Sequence, residues 1–534
     1  MNLLNKTLIL DIETDGLDPT KIWCCATNLF GTVYDAETFK AQLATQDVQR
    51  IVAHNGIGFD YPVMSKLWGV DWSGYELMDS LVLSRLANPS REAGHSLRQW
   101  GDRLGFPKGD HEDWSQLSCE MVKYCEQDVA VTVRVLECLQ DELVGFSEES
   151  VKLEHDVQRI IQQQIKNGWL IDQKHTNDLI ALLKEKKYEL EETVQQTFLP
   201  LPVFIKEVTP KIKKDGTLSA VGLKFLGDQS ENVAGWFSRI DYPPFNLGSR
   251  QQIGRYLQWF GWKPKTFTEK GQPIVDESVL ETVTDIPEAK LIAEYLMIQK
   301  RVAQVQSWLD AVQDDGRVHG YVNTNGAVTG RMTHSSPNMA QVPAVYSPYG
   351  HECRSCWSAP EGYSIVGCDA SGLELRMLAH YMKDEDYTNE IINGDIHTAN
   401  QRLAGLESRN QAKTFIYALL YGAGDEKLGS VAGGGRTTGK KLRESFLNNL
   451  PSFAALKDRV SEAAGRGYLI GLDGRKLQVR SEHSALNTLL QSAGSLVMKK
   501  ALTLLDDYGK IWGIDYKFVG NIHDEIQAEV INER

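Results

Sequence analysis

The sequence predicts an α/β protein of more than one domain, and three observations carry that prediction. Its 534 residues, 42% of them apolar, exceed what one hydrophobic core organises and suffice for two or three. Short β-rich runs alternate with helices up to about Leu143, whereas from Val151 long stretches keep only the helical period. A last part returns to strands and helices around two aspartates, Asp369 and Asp524.

The first unit, residues 1–145, opens on the apolar strand TLILDIE and closes on the amphipathic run MVKYCEQDVAVTVRVLECL. VKLEHDVQRIIQQQIKNGW and LIALLKEKKYELEETVQQ then repeat apolar residues at helical spacing, with a turn at Asn167 and Gly168 between them. Between Pro200 and about Pro244 the period fails and Pro, Gly and Lys punctuate the chain, which predicts an insertion or loop. Its Lys206, Lys211, Lys213 and Lys214 form a solvated face or touch DNA or a protein. KLIAEYLMIQKRVAQVQSWLDAV restores the helix and leads into the turn-rich GRVHGYVNTNGAVTGR. Gly433 to Gly435 form a flexible loop and not a phosphate cradle, since no strand precedes them and no GK[ST] follows.

A formal net charge of −14 counts against a nucleic-acid partner, because phosphate binding needs Lys and Arg, but the distribution of charge decides more than its sum. The eight cysteines lack a regular pairing framework, which predicts a reducing, cytoplasmic setting. Cys353 and Cys356 form a CxxC with no second ligand pair at zinc spacing, so buried thiols are the expectation. The N-terminal run meets Asp11 and Glu13 too early for a signal peptide or a membrane span.

Strand geometry puts Asp11 and Glu13 on one face, with Ile12 turned to the core. Asp60 and Asp128 complete a candidate four-carboxylate pocket, and Tyr124 shares a helix face with Asp128. Such acids repel one another unless cations sit among them, and two magnesium ions would let the set hydrolyse a phosphodiester, with Tyr124 and Glu13 orienting the water. In the last part, SIVGCDASGLELRMLAHYM turns from strand to helix after Gly372, which leaves Asp369 at a strand end with the Ala370 carbonyl beside it as a further ligand. FVGNIHDEIQAEV reads as two strands around a tight turn that presents His523, Asp524 and Glu525. A second pair of magnesium ions between Asp369 and Asp524 suits nucleotide transfer. Arg409, Lys413 and Tyr417 recur every four residues on one helix face, where a triphosphate fits, and His397 adds a contact.

In this order, the DIE, HNxxxFD and YxxxD runs resemble the exonuclease domains of proofreading polymerases and of RNA-trimming enzymes. The runs around Asp369, Lys413 and Asp524 match motifs A, B and C of family A DNA polymerases. DASGLELR, NGDIHT, AKTFIY, LLYGAGDEK, GLDGRK and ALNTLLQSAG extend the likeness from Thr7 to Glu529. It implies a ribonuclease H-like 3′-5′ exonuclease domain, a thumb region over 146–330 with an insertion at about 198–243, and a palm with fingers over 331–534, the fingers at about 385–480. Carried over by motif, Asp369 and Asp524 bind metal, Glu525 lies near the primer end, and Arg409, Lys413, Tyr417 and His397 hold the nucleotide. Arg331 and Gln491 touch the primer-template minor groove, with His523 close to the DNA, and Tyr421 and Gly422 place the template base. Glu374 and Tyr417 crowd the sugar and select deoxynucleotides, and the Tyr417 hydroxyl implies tolerance of dideoxynucleotides.

The implied partners are primer-template DNA, dNTPs and a replisome helicase or primase, in the cytoplasm of a bacterial host if the chain is phage-encoded. The 198–242 stretch is shorter and differently composed than the one with which a phage member captures thioredoxin, which argues against a thioredoxin-type processivity factor. Relatives continue past the equivalent of Arg534 with helices that pack on the Asp524 hairpin, so the end of the palm is read as missing and the apolar side of IQAEV is expected to be exposed. Three rival readings are a stand-alone exonuclease with an inactive DNA-gripping polymerase part, a single-subunit RNA polymerase, and a DNA-binding module without activity.

Overall fold

A computed structural model describes residues 2–209, 211–220, 223–224, 236–276, 279–280 and 282–533. The chain divides into two compact units, one of Met1–Leu170, Gln313–Gln341 and Ser358–Arg534, the other of Ile171–Val312 and Val342–Trp357.

The first unit begins with a five-stranded sheet: β1 (Thr7–Thr14), β2 (Ile22–Thr27), β3 (Gly31–Val33), β4 (Arg50–Ala53) and β5 (Glu76–Asp79), in the order β3-β2-β1-β4-β5. β1 runs antiparallel to β2 and parallel to β4. A strand covered on both faces has no reason to alternate apolar and polar residues, which is why LIL is continuously apolar and fully buried. Leu8, Leu10 and Ile12 join Phe39, Tyr61 and Met64 on one side of the sheet; Ile9 joins Val129, Val135 and Leu139 on the other. Among the helices of this region, which also include Ala36–Thr45 and Leu97–Arg103, those that bear on the site are α1 (Asp60–Trp68), α2 (Ser80–Ala87) and α3 (Cys119–Glu142). Ser118 caps α3 by accepting from the Met121 N–H. Next comes α4 (Glu148–Asn167), begun by Ser147 as N-cap and by Glu148 and Glu149 in its first turn, where acids favour the helix dipole.

The same unit continues with a hairpin of β6 (Tyr321–Asn323) and β7 (Thr333–Ser335), then β8 (Tyr363–Asp369), α5 (Leu373–Met382), α6 (Ile396–Ala404) and α7 (Arg409–Leu420). After a hairpin of β9 (Tyr468–Ile470) and β10 (Lys476–Gln478) come α8 (Ala485–Ile511), β11 (Tyr516–Ile522) and β12 (Glu525–Ile531). β8, β12 and β11 form an antiparallel sheet in that order, with β8 at its edge. The apolar side of IQAEV is not laid bare: Ile526 is 3% exposed and packs with Val157 of α4 and Met498 of α8. The exposed large apolar side chains of this sheet include Val366 on β8 and Ile531 at the end of β12.

The second unit contains the helices Gln173–Thr197 and Pro287–Asp310 that the helical period predicts, and they run side by side. The 198–243 stretch, predicted to lack regular structure, contains a two-stranded ribbon, Val203–Val208 against Phe237–Asp241; part of the stretch lies outside the described residues. FIKEV does not alternate apolar and polar residues, its register breaks between Phe204 and Lys206, and its partner is remote in sequence, so a local reading has no signal for it. Cys353 and Cys356 are buried free thiols, as the CxxC predicts. Among the described residues no helix is long and apolar enough to cross a membrane.

Candidate active sites

Because Ile9 packs toward α3 and residues two apart share a face, Asp11 and Glu13 lie on the α3 side of β1. There one ligand atom each from Asp11, Glu13 and Cys125 of α3 lie within 4.8 Å of one another, the only such group of three among the described residues. Asp60, at the start of α1, and Asp128, four residues beyond Tyr124, stand outside that tight group but act on it through charge. Burial first, then Asp128, Asp60 and Glu13, hold Asp11 well above the ordinary carboxylate range. Glu13 is pushed up to about 8, chiefly by burial and then by Asp128. Burial likewise pushes Asp60 up to about 7 and raises Asp128.

Lys108, from the loop before α3, pairs with the Oδ2 of Asp128 and stands 4.5 Å from the centre of the Tyr124 ring. No sequence signal points to it or to Cys125. The other Asp128 oxygen, Oδ1, is buried without a hydrogen-bond partner among the described residues. Four acids around a single ammonium leave an excess of negative charge and an unused oxygen ligand, a setting that suits a hard divalent cation. Cys125 is the soft exception; burial raises its pKa, which keeps it a thiol. The loop leading to Asp60 is fixed by Asp79, whose carboxylate accepts from the N–H groups of Asn55, Ile57 and Leu81 at 2.9, 3.2 and 2.9 Å. The Asp79 N–H itself donates to Nε2 of His155 on α4 at 2.9 Å.

At the second site, strand register does the assembling. Asp369 at the end of β8 faces Glu525 of β12, and Glu525 faces Ile522 of β11, so His523 and Asp524 form the bend between β11 and β12. The Ala370 N–H donates to the Asp524 carbonyl at 2.9 Å and ties the bend to the end of β8. Burial, then Asp524, Glu525 and Glu374, raise the pKa of Asp369, so these acids are close enough to repel. Glu525 accepts from the Gln527 amide at 2.6 Å. Glu374 accepts from Arg331 at 3.0 Å, so residues with separate predicted roles, sugar and minor groove, hold each other. Burial and Arg331 lower the pKa of His523.

Beside these acids is a cavity of 380 Å³ lined by Arg376, Asp395, His397, Arg409, Lys413 and Tyr417. Arg409 donates to Asp395 at 2.6 Å, and Asp395 also caps α6 by accepting from the His397 N–H at 3.1 Å. The sequence reading does not single out Asp395, although an Asp just before a helix is a capping signal. Nδ1 of His397 is buried without a partner among the described residues, and burial, Arg409 and Lys413 depress the pKa of the ring. One acid among three permanent cations and an imidazole leaves the cavity short of anions, which a triphosphate supplies. The Tyr417 ring lies 6.4 Å from His397 and 6.3 Å from Tyr421. Gly422 has φ +77°, and a Cβ there would stand 2.3 Å from the His483 carbonyl oxygen, so glycine alone fits. Gln491 is half-buried on α8.

Comparison with known proteins agrees along nearly the whole chain. The family model described as DNA polymerase family A matches residues 224–534. The DNA-directed DNA polymerase of Escherichia phage T7 is 36% identical over 98% of this chain and 93% of its own length; that of Enterobacteria phage T3 is 38% identical over the same shares. Among solved structures, the POL domain of Pol1 from M. smegmatis, in complex with DNA primer-template and dNTP, superposes with a TM-score of 0.73 over 98% of this chain and 89% of that one, at 18% identity. That last likeness concerns the fold alone. With a family model over more than half of its length and phage relatives along almost all of it, the chain belongs to DNA polymerase family A, in its phage type.

Proposed function

We propose that the protein extends a DNA primer on a DNA template with deoxynucleotides, and that residues 1–145 form a ribonuclease H-like domain that trims mispaired 3′ ends. The bond between the Ala370 N–H and the Asp524 carbonyl carries the reading, because it joins the two acids at one end of a sheet beside an anion-poor cavity. Asp369 and Asp524, with the Ala370 carbonyl, would hold two magnesium ions, whose charge would favour ionisation of the primer 3′-hydroxyl and offset that of the departing pyrophosphate. Arg409 would leave Asp395 for the outer phosphates, with His397 beside it. Lys413 would meet the reacting end and would protonate the leaving oxygen. Tyr417 and Glu374 would close the space at the sugar 2′ carbon. Arg331, Gln491 and His523 would lie along the duplex end, and Tyr421 with Gly422 under the template base. Minor-groove contacts suit this task because their acceptors are nearly common to all base pairs.

At the other site, Asp11, Glu13, Asp60 and Asp128 would hold a second pair of magnesium ions, with Tyr124 and Glu13 orienting a water. A thumb over 146–330 and a palm with fingers over 331–534 complete the arrangement. Its setting is the cytoplasm of a bacterial host, in phage DNA replication. The test is a primer-extension gel with and without deoxynucleotides. Growth with them and shortening without them is expected; a primer that never lengthens refutes the polymerase reading, and one that never shortens refutes the nuclease reading.

A further inference from the structure

Two polar rows face each other across the middle of the first unit. On α4, Ser150, Glu154 and Gln158 recur every four residues; on α8, Gln491, Ser495 and Lys499 do the same. Such rows ordinarily mark a solvated helix face. Here Glu154, Lys499, Arg475 and Asn325 are all buried. Lys499 donates to both Glu154 oxygens at 2.8 and 2.7 Å and to the Asn325 side-chain oxygen at 2.8 Å, which uses all three of its protons. The Asn325 amide returns a bond to Glu154 at 2.7 Å. Arg475, between β9 and β10, donates to Glu154 at 2.8 Å and to Asp473 at 2.7 Å, and Asp473 accepts from the Ser150 hydroxyl. Two acids and two bases balance, which is the condition under which charges tolerate burial.

The segment resting on this cluster is the loop from 324 to 332, between β6 and β7. Thr324 donates to Gln158 at 2.8 Å, Asn325 belongs to the cluster, and the Gly330 carbonyl accepts from Ser495 at 2.8 Å. Gly330 has φ +74°, and a Cβ there would stand 2.5 Å from Nη1 of Arg475, so the guanidinium packs directly under the loop. The next residue is Arg331, which pairs with Glu374 at the polymerase site.

We infer that Glu154, Lys499 and Arg475 are positioning residues for DNA synthesis: from outside the site they fix the 324–332 loop and thereby aim Arg331 at the primer-template end. The role assigned to Arg331 rests on the polymerase reading; the fixing of the loop does not.

The test compares Glu154→Gln, Arg331→Ala, their combination, and the charge-balanced pair Glu154→Gln with Lys499→Met, each verified as folded by circular dichroism. For Glu154→Gln, extension at saturating dNTP is expected to slow about tenfold with KM for dNTP little changed. Added to Arg331→Ala it should cost little more, since both act through one side chain. The charge-balanced pair should recover most of the rate. Independently of activity, hydrogen exchange of the 325–331 amides should accelerate in Glu154→Gln and return toward the wild-type rate in the pair. Unchanged exchange across that loop in folded Glu154→Gln overturns the inference, as do losses that multiply with those of Arg331→Ala. A wild-type chain that extends no primer refutes the polymerase reading instead, and the exchange measurement still decides whether the cluster fixes the loop.

Discussion

The two acid sets are built from the same side chains and solve opposite problems. Glu13, Asp60 and Asp128 are 6, 4 and 2% exposed and share one internal ammonium, Lys108, so their charge is already crowded before any ligand arrives. Asp369 is exposed at a strand end and repelled only moderately, and its cationic counterparts stand across an open cavity, one of them held on Asp395. The contrast teaches that a carboxylate site can be assembled by the fold or completed by its substrate.

The sharpest way to break this comparison is to disable one set at a time. Asp369→Asn should lower primer extension by about a thousandfold or more while single-strand trimming persists, and Asp11→Ala with Glu13→Ala should do the reverse. Equal loss of both activities from either variant contradicts separate sites. Next in size is Lys108→Met, which leaves Asp128 buried beside three further acids. Without metal it should destabilise the chain by about 3 kcal/mol, and magnesium should restore much of the loss in a thermal melt. A melt like that of the wild type shows that Lys108 does not neutralise the set.

A smaller effect concerns pH. Glu13 titrates at about 8 in the fold against about 4.5 in a free chain, so its protonated form favours folding. That contribution is present below the lower value and lost as pH rises through the higher one. Metal-free protein should therefore melt at lower temperature at pH 8 than at pH 5, and Glu13→Gln should flatten the slope. A wild-type melting temperature that does not fall over this range contradicts the crowding. The smallest effect expected is for Asp395→Asn, which keeps a capping side chain but frees Arg409. The change should be a few-fold in KM for dNTP with kcat held, and an unchanged KM shows that the bond to Asp395 does not compete with substrate.

How much of this was legible depends on the range over which each signal acts. Asp11 and Glu13 were readable because a strand alternates faces within three residues, and Arg409, Lys413 and Tyr417 because a helix repeats within four. Asp369 and Asp524 meet through strand pairing, for which the sequence offers only two short apolar runs. Lys108 comes from a loop without periodicity, and Cys125 reads as one more apolar position on α3. Glu154 and Lys499 were the hardest, since ionic residues at four-residue spacing look the same whether they face water or each other. The ribbon within 198–243 was missed because its strands are separated by a long intervening stretch.

One feature of the β8-β12-β11 sheet bears on handling the protein. Among the described residues β8 has a strand neighbour on one side only, with Val366 51% exposed and the Cys368 thiol exposed beside it. An open strand edge of this kind is a template for self-association, and a surface thiol on it can turn a transient pair into a cross-linked one. Reducing buffer and dilute storage are therefore part of keeping Asp369 available.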